Sequence, residues 1–264
     1  MNALQRKEAH MEQIITIRDA DLTYQARNGE VEALRGVTFS VAEGEFVSIV
    51  GPSGCGKSTL LGVLAGLETL DGGTAALRGS AISGPNRLVG FMPQRDQLFE
   101  WRTIRDNVML GLELRRDRDP VHRRHAEALL ARYGLAEFAD KRPDQLSGGM
   151  RQRCALIRTL ATGPDILLLD EPFSALDYQT RLAVSGDIWR IIRGEGKTAL
   201  LVTHDISEAV SMSDRVVVLS RRPAVVKAVF DMGGLRPLPP MERRENPAFP
   251  RYFDAIWKEL ELHE

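Results

Sequence analysis

The residues Gly51-Pro52-Ser53-Gly54-Cys55-Gly56-Lys57-Ser58-Thr59 contain the spacing Gly-x-x-x-x-Gly-Lys-Ser. An apolar, β-branched stretch precedes them, and leucines at helical spacing follow. A strand, a glycine loop and a helix in that order form a cradle for a polyphosphate. Glycines let the backbone turn so that successive N–H groups face phosphate oxygens. The opening helix adds its positive end. Lys57 then reaches the β- and γ-phosphates, and the Ser58 hydroxyl suits Mg2+. Thr59 completes the nucleotide-binding set. Cys55 contributes its backbone, and its thiol reads as a small packing group open to alkylation.

A second acidic feature lies downstream. Residues 166–169 are an unbroken apolar run that ends in Asp170 and Glu171. Such a run suits a strand buried on both faces of a parallel sheet. Carboxylates at its C-terminal end face the crevice where ligands bind. Asp170 would hold Mg2+ directly or through water. Glu171, one residue further on, could polarise a water near the γ-phosphate.

These groups need a scaffold. Residues 14–17, 37–41 and 46–50 read as short strands, separated by Gly29, Gly36 and Gly44. Leu60, Leu61, Leu64 and Leu67 define a helix that Asp71-Gly72-Gly73 stops. Residues 102–115, 122–133 and 149–160 read as helices, 178–193 as another, and 198–203 and 216–219 as strands. Asp205 followed by Glu208 predicts a capping box. Residues 225–230 could form a further strand of regulatory character. Strands alternating with helices predict an α/β core with a parallel sheet. The helical block at about 96–160 reads as an insertion, Pro-rich 237–250 as a linker, and 252–262 as a short amphipathic helix. Cys154 reads as a buried helix residue.

Composition narrows the classes. Net charge is −1, from 35 basic and 36 acidic residues, so nothing argues for nucleic acid or an anionic surface as partner. The run at 115–124 interleaves acids with its arginines and reads as a solvated loop and helix start. No apolar stretch approaches ~18 residues, so no membrane-spanning helix is expected. The first 13 residues are charged and do not resemble a signal peptide. Two cysteines predict a reducing, cytosolic setting.

Further motifs carry a resemblance. Leu146-Ser147-Gly148-Gly149-Met150-Arg151-Gln152 is similar to the signature sequence of ATP-binding cassette (ABC) proteins. Tyr24 resembles the family's adenine-stacking aromatic and Gln94 its Q-loop glutamine. Ser174-Ala175-Leu176-Asp177 resembles the D-loop, and His204 the switch histidine. All occur in the family's order. The resemblance implies an α/β fold: a P-loop RecA-like core with an antiparallel β subdomain and an inserted α-helical subdomain. It implies a nucleotide-binding domain over 13–235, then a Pro-rich linker and C-terminal helix over 236–264. It implies ATP and Mg2+ as cofactors, with Glu171, His204 and Gln94 catalytic and Ser58, Gln94 and Asp170 at the metal. Two copies would pair head to tail, so that Ser147, Gly148, Gly149 and Asp177 of one copy complete the other's site.

Residues 91–108, with 203–209 and 213–220, resemble the importer branch for nitrate, sulfonate, taurine and pyrimidine-type precursors. That branch implies membrane permease subunits, indirectly a solute-binding protein, and a peripheral place on the cytoplasmic side of the cell membrane. Glu100 stands where the branch usually has Pro before the Trp. Trp101 is therefore either a partner-facing anchor or a core residue. A soluble regulatory cassette and an exporter ATPase are the alternatives.

Overall fold

The computed structural model describes residues 12–26 and 29–261. The N-terminal segment read as lacking a signal peptide falls mostly outside these residues, as do the final three positions of the tail.

Two sheets organise the chain. The first, in the order β2-β1-β4-β5, is antiparallel and built from β1 (Gln13–Ala26), β2 (Gly29–Ala42), β4 (Gly72–Leu77) and β5 (Ser80–Ala81). The second has the order β10-β9-β3-β8-β7-β6. Its strands β3 (Phe46–Val50), β6 (Val89–Met92), β7 (Ile166–Asp170), β8 (Thr198–Thr203) and β9 (Arg215–Leu219) are parallel. Strand β10 (Val226–Asp231) joins β9 antiparallel at one edge. All of β3 and β8 is buried, and so is β7 except Asp170, as expected for strands covered on both faces.

The helices are α1 (Lys57–Leu64), α2 (Ile104–Leu114), α3 (Pro120–Arg132), α4 (Gly148–Leu160), α5 (Tyr178–Gly194), α6 (Ile206–Met212), α7 (Pro240–Glu245) and α8 (Phe249–Glu261). Caps set their starts. Thr103, Asp119, Ser147, Asp177 and Asp205 each accept a backbone N–H from the following turn. Helices α2, α3 and α4 share one apolar core with α5 and the parallel sheet. A second core lies between the two sheets and includes Leu60, Leu61 and Leu64 of α1. No helix among the described residues is long and apolar enough to cross a membrane.

Several local expectations need correction. The expected short strands at 14–17 and 37–41 belong to two 14-residue strands, whose register shifts let them bend through polar stretches. Helix α1 stops at Leu64, and Leu67 is exposed. The stop is Gly66 at φ +73, where a Cβ would lie 2.1 Å from the Gly84 carbonyl oxygen; Asp71-Gly72-Gly73 instead leads into β4. Strands β4, β5 and β6 were not anticipated: segments of two to six residues carry little alternation to detect.

The expected linker at 237–250 is packed structure carrying α7. Arg243 is fully buried there and donates to the carbonyls of Leu238 (2.7 Å) and Arg236 (2.7 Å) and to the Ser213 carbonyl. Three carbonyls around one guanidinium hold the Pro-rich chain against the core, although burial lowers the Arg243 pKa to about 10. Helix α8 continues this layer, with Ile256 fully buried against Val50, Ile206, Val210 and Val218.

Candidate active site

Sheet register assembles the site. Val50 lies opposite Thr203, Val202 opposite Asp170, and Leu169 opposite Met92. Four C-terminal strand ends are thus nearly level, and the residues that follow them converge: Gly51, His204, Glu171 and Gln94. Ligands of open parallel sheets bind at that edge.

The phosphate loop leaves β3 with unusual backbone geometry. Gly54 has φ +72 and Gly56 φ +124. A Cβ on Gly56 would also lie 2.8 Å from the Ala33 carbonyl oxygen, so only glycine fits. Lys57 is buried, its Nζ donating to the carbonyls of Gly51 (2.7 Å) and Pro52 (2.8 Å). The ammonium is thereby held over the loop, ready to exchange carbonyls for phosphate oxygens. Cys55 is buried, and burial raises its thiol pKa despite nearby Lys57, so alkylation at Cys55 is disfavoured. Burial likewise pushes Cys154 up to about 12.

Around the loop lies a cavity of about 380 Å³ lined by Tyr24, Ser53, Gly54, Gly56, Lys57, Ser58, Thr59, Gln94 and Glu171, with Ala33 and Arg222. The Tyr24 hydroxyl donates to Thr59 Oγ1 at 3.3 Å, which sets the ring beside the start of α1. Nine expected site residues therefore share one cavity. Arg222 and Ala33 were missed; both stand outside any spaced motif and arrive through tertiary contacts.

Ser58 Oγ donates to Asp170 Oδ1 at 3.2 Å. Burial, with the adjacent Glu171 charge, raises the Asp170 pKa, against the Ser58 hydrogen bond and the charge of Lys57. A hydroxyl and a carboxylate are hard oxygen donors, and they fit Mg2+. No group of three or more His, Cys, Asp or Glu is gathered for a metal among the described residues. A cation at Ser58 and Asp170 would take its other ligands mainly from phosphate and water, the usual arrangement for Mg2+.

Glu171 follows Asp170 at φ +44, a left-handed conformation that costs a non-glycine residue about 1–3 kcal/mol. Its N–H donates to the Val202 carbonyl at 2.9 Å, which pins that turn. His204 Nδ1 lies 3.1 Å from Glu171 Oε2, and Gln94 Nε2 donates to the same oxygen at 3.3 Å. Gln94 also reaches Ser174 Oγ at 3.3 Å. A carboxylate held by an amide and an imidazole beside a phosphate cradle can orient and polarise a water.

The signature residues stand apart from this cavity. Ser147 caps α4 by accepting the Met150 N–H at 3.3 Å, and it and Gly148 are exposed. Gly149 is buried, and a Cβ there would lie 2.7 Å from Val184 Cγ2, so it allows α4 to approach α5. Asp177 caps α5 through the Thr180 N–H at 3.0 Å, and the Thr180 hydroxyl together with that N–H lowers its carboxyl pKa. None of Ser147, Gly148, Gly149 and Asp177 lines the nucleotide cavity. The expected capping box at Asp205 is half formed. Asp205 accepts the Ser207 and Glu208 N–H groups, but Glu208 turns inward and accepts from Thr203 Oγ1 at 2.7 Å.

A phosphate loop beside a carboxylate–glutamine–histidine cluster at the edge of a parallel sheet defines a nucleoside triphosphatase cassette. The chain belongs to the ABC transporter family, whose pattern matches residues 34–174, and it is an ATPase with the nucleotide-binding fold of that family. It is 45% identical over 230 residues to the aliphatic sulfonates import ATP-binding protein SsuB of Ralstonia nicotianae, covering 87% of this chain and 77% of that protein. It is 39% identical over 225 residues to the taurine import ATP-binding protein TauB of Ruegeria pomeroyi, covering 83% and 84%. Among solved structures, a dimeric post-hydrolysis state of the ATP-binding cassette MJ0796 bound to ADP and Pi superposes with a TM-score of 0.70 at 30% identity, covering 83% of this chain and 99% of that one.

Proposed function

We propose that this chain is the ATP-hydrolysing subunit of an ABC importer for small organic or inorganic anions of the sulfonate, taurine and nitrate type. The observation that carries the reading is the Glu171 carboxylate, bridged by Gln94 and His204 beside the phosphate loop, in a chain similar to sulfonate and taurine import subunits.

In this reading adenine stacks on Tyr24, and the loop from Gly51 to Thr59 holds the phosphates. Lys57 balances charge on the transferring phosphoryl group. Ser58, Asp170 and the Gln94 amide oxygen would hold Mg2+, which supplies charge neutralisation between the β- and γ-phosphates. Glu171 orients the attacking water and accepts its proton, while His204 and Gln94 position the carboxylate and sense the γ-phosphate.

The signature belongs to a second copy. Ser147 and the Gly148 and Gly149 amides open a helix with its positive end exposed, a fitting lid for a γ-phosphate. None of the three lines this chain's own cavity, which supports pairing head to tail, with Asp177 near the same junction. The dimeric MJ0796 cassette is consistent with that arrangement.

Coupling to a permease uses a groove of about 470 Å³ between β6 and α2, lined by Phe91, Pro93, Phe99, Leu110 and Leu114 among others. Trp101 stacks on Phe99 at 4.7 Å between centroids and is 69% exposed, which favours the partner-facing role over the core. Glu100, in place of the branch's Pro, binds Arg151 at 3.0 Å, and Arg151 also grips Asp96 at 2.8 Å. The signature helix is thus tied to the segment that follows Gln94. The protein would sit at the cytoplasmic side of the cell membrane through its permease, with a solute-binding protein on the other side.

Co-purification with a candidate permease and reconstitution with a candidate binding protein tests this. ATPase activity stimulated by a sulfonate- or nitrate-type solute is expected. Activity indifferent to permease and solute would instead mark a regulatory cassette.

A further inference from the structure

We propose that Arg222 is a nucleotide-binding residue outside the family motifs: it braces the phosphate loop and presents a second cation to the polyphosphate. The inference rests on placing ATP in the cavity described above.

Arg222 donates twice to one acceptor. Its Nε and Nη2 reach the Gly54 carbonyl oxygen at 3.0 and 2.6 Å. Gly54 is the positive-φ residue at the middle of the loop, where the backbone is most free to turn. A planar fork on its carbonyl fixes the orientation of the Gly54–Cys55 peptide. Next to that peptide are the amides that must face phosphate.

The rest of the guanidinium is available. Arginine has five N–H donors, and the carbonyl occupies two. Arg222 lines the same cavity as Tyr24, Lys57 and Glu171. No carboxylate lies within salt-bridge distance of it among the described residues, where its hydrogen bonds go to the Gly54 carbonyl alone. A cation without a carboxylate partner at the rim of a pocket for a polyphosphate attracts that anion.

Its position is also held. The loop between β9 and β10 is fastened to β2: the Ala224 N–H donates to the Ala33 carbonyl at 2.9 Å, and the Arg35 N–H donates to the Ala224 carbonyl at 3.0 Å. Ser220 Oγ closes the loop by donating to the Pro223 carbonyl at 3.0 Å. Ala224 is fully buried, and its Cβ would lie 3.4 Å from a Cβ on Gly56. Strand β2, this loop and the phosphate loop therefore press on one another, and Arg222 joins the last two.

The test titrates MgATP into the purified full chain and measures steady-state hydrolysis. Variants are R222A, R222K and R222Q, with K57A as control. R222A is expected to weaken MgATP ~10-fold, the scale of one lost charge-assisted hydrogen bond. It should raise KM and leave kcat near wild type, because Arg222 does not touch the reacting water. R222K should recover part of the affinity through its charge, and R222Q should recover less. R222A binding within about twofold of wild type overturns the proposal, whatever happens to its melting temperature. R222Q binding better than R222K overturns the second-cation role. If K57A also binds like wild type, the cavity is not the nucleotide site, and that failure is separate from retention of affinity in R222A alone.

Discussion

His204 Nδ1 lies 3.1 Å from Glu171 Oε2, although 32 residues and the whole of α5 separate the two in sequence. Parallel pairing of β7 with β8 produces the contact, because Asp170 lies opposite Val202 and the two chains leave the sheet side by side. Gln94 reaches the same oxygen from β6, the next strand. The carboxylate is thus held by groups from both neighbouring strands.

In the proposed reading, that arrangement makes Glu171 the base. Glu171→Gln keeps the shape and the contacts but removes the base. Hydrolysis should fall ~10²–10⁴-fold while MgATP binding persists. Phosphate release and a nucleotide titration measure the two effects, and ATP should now drive the variant into a dimer seen by size-exclusion chromatography. Wild-type turnover would remove Glu171 from the role.

Ser147 should act across the dimer. Ser147→Arg is expected to spare nucleotide binding by the monomer, since Ser147 lies away from its own cavity. It should abolish dimer-dependent hydrolysis by filling the partner's γ-phosphate space. Mixed with Lys57→Ala chains, it should restore at most one composite site per dimer. A loss of affinity equal to that of Lys57→Ala would contradict pairing in trans.

Trp101 provides the test of coupling. At 69% exposure its removal should leave the fold and nucleotide binding intact. Trp101→Ala should weaken permease binding by about 2 kcal/mol or more, the scale of an aromatic anchor seated in a groove. A pull-down with the permease reads the loss. An unaffected complex would place the coupling contact elsewhere.

Glu208 should make stability depend on pH. Burial, with the nearby Asp205 charge, raises its pKa to about 7, against the Thr203 hydroxyl and the charges of Arg181 and His204, which favour its charged form. The folded-state pKa lies above the unfolded one, so the stabilisation is complete below about pH 4.5. It is lost as pH rises to about 7, where the buried carboxylate must ionise. The loss is on the order of 3 kcal/mol. Urea unfolding of wild type and Glu208→Gln between pH 4.5 and 8 measures it. The variant's stability should fall less across that window, and parallel curves would refute the assignment.

The sequence alone determined the candidate site residues and their order. A phosphate loop is local: its spacing, its glycines at Gly54 and Gly56 and its flanking elements are contiguous, so they are legible without a fold. The same holds for the buried run at 166–169 and the cap at Ser147. Local patterns also misled. The leucine period continued past Gly66, whose positive φ ends α1, and prolines at 237–250 concealed a helix secured by Arg243.

Only the tertiary structure decided which residues meet. Strand register depends on pairing between distant segments, and no local pattern encodes it. Register brings Gln94 and His204 to one oxygen of Glu171, while Ser147 and Asp177 cap helices α4 and α5 and do not line the same chain's cavity. The inward turn of Glu208, the exposure of Trp101 and the grip of Arg222 on Gly54 have the same origin. Each is settled by what packs beside the residue, and that neighbour comes from a remote part of the chain.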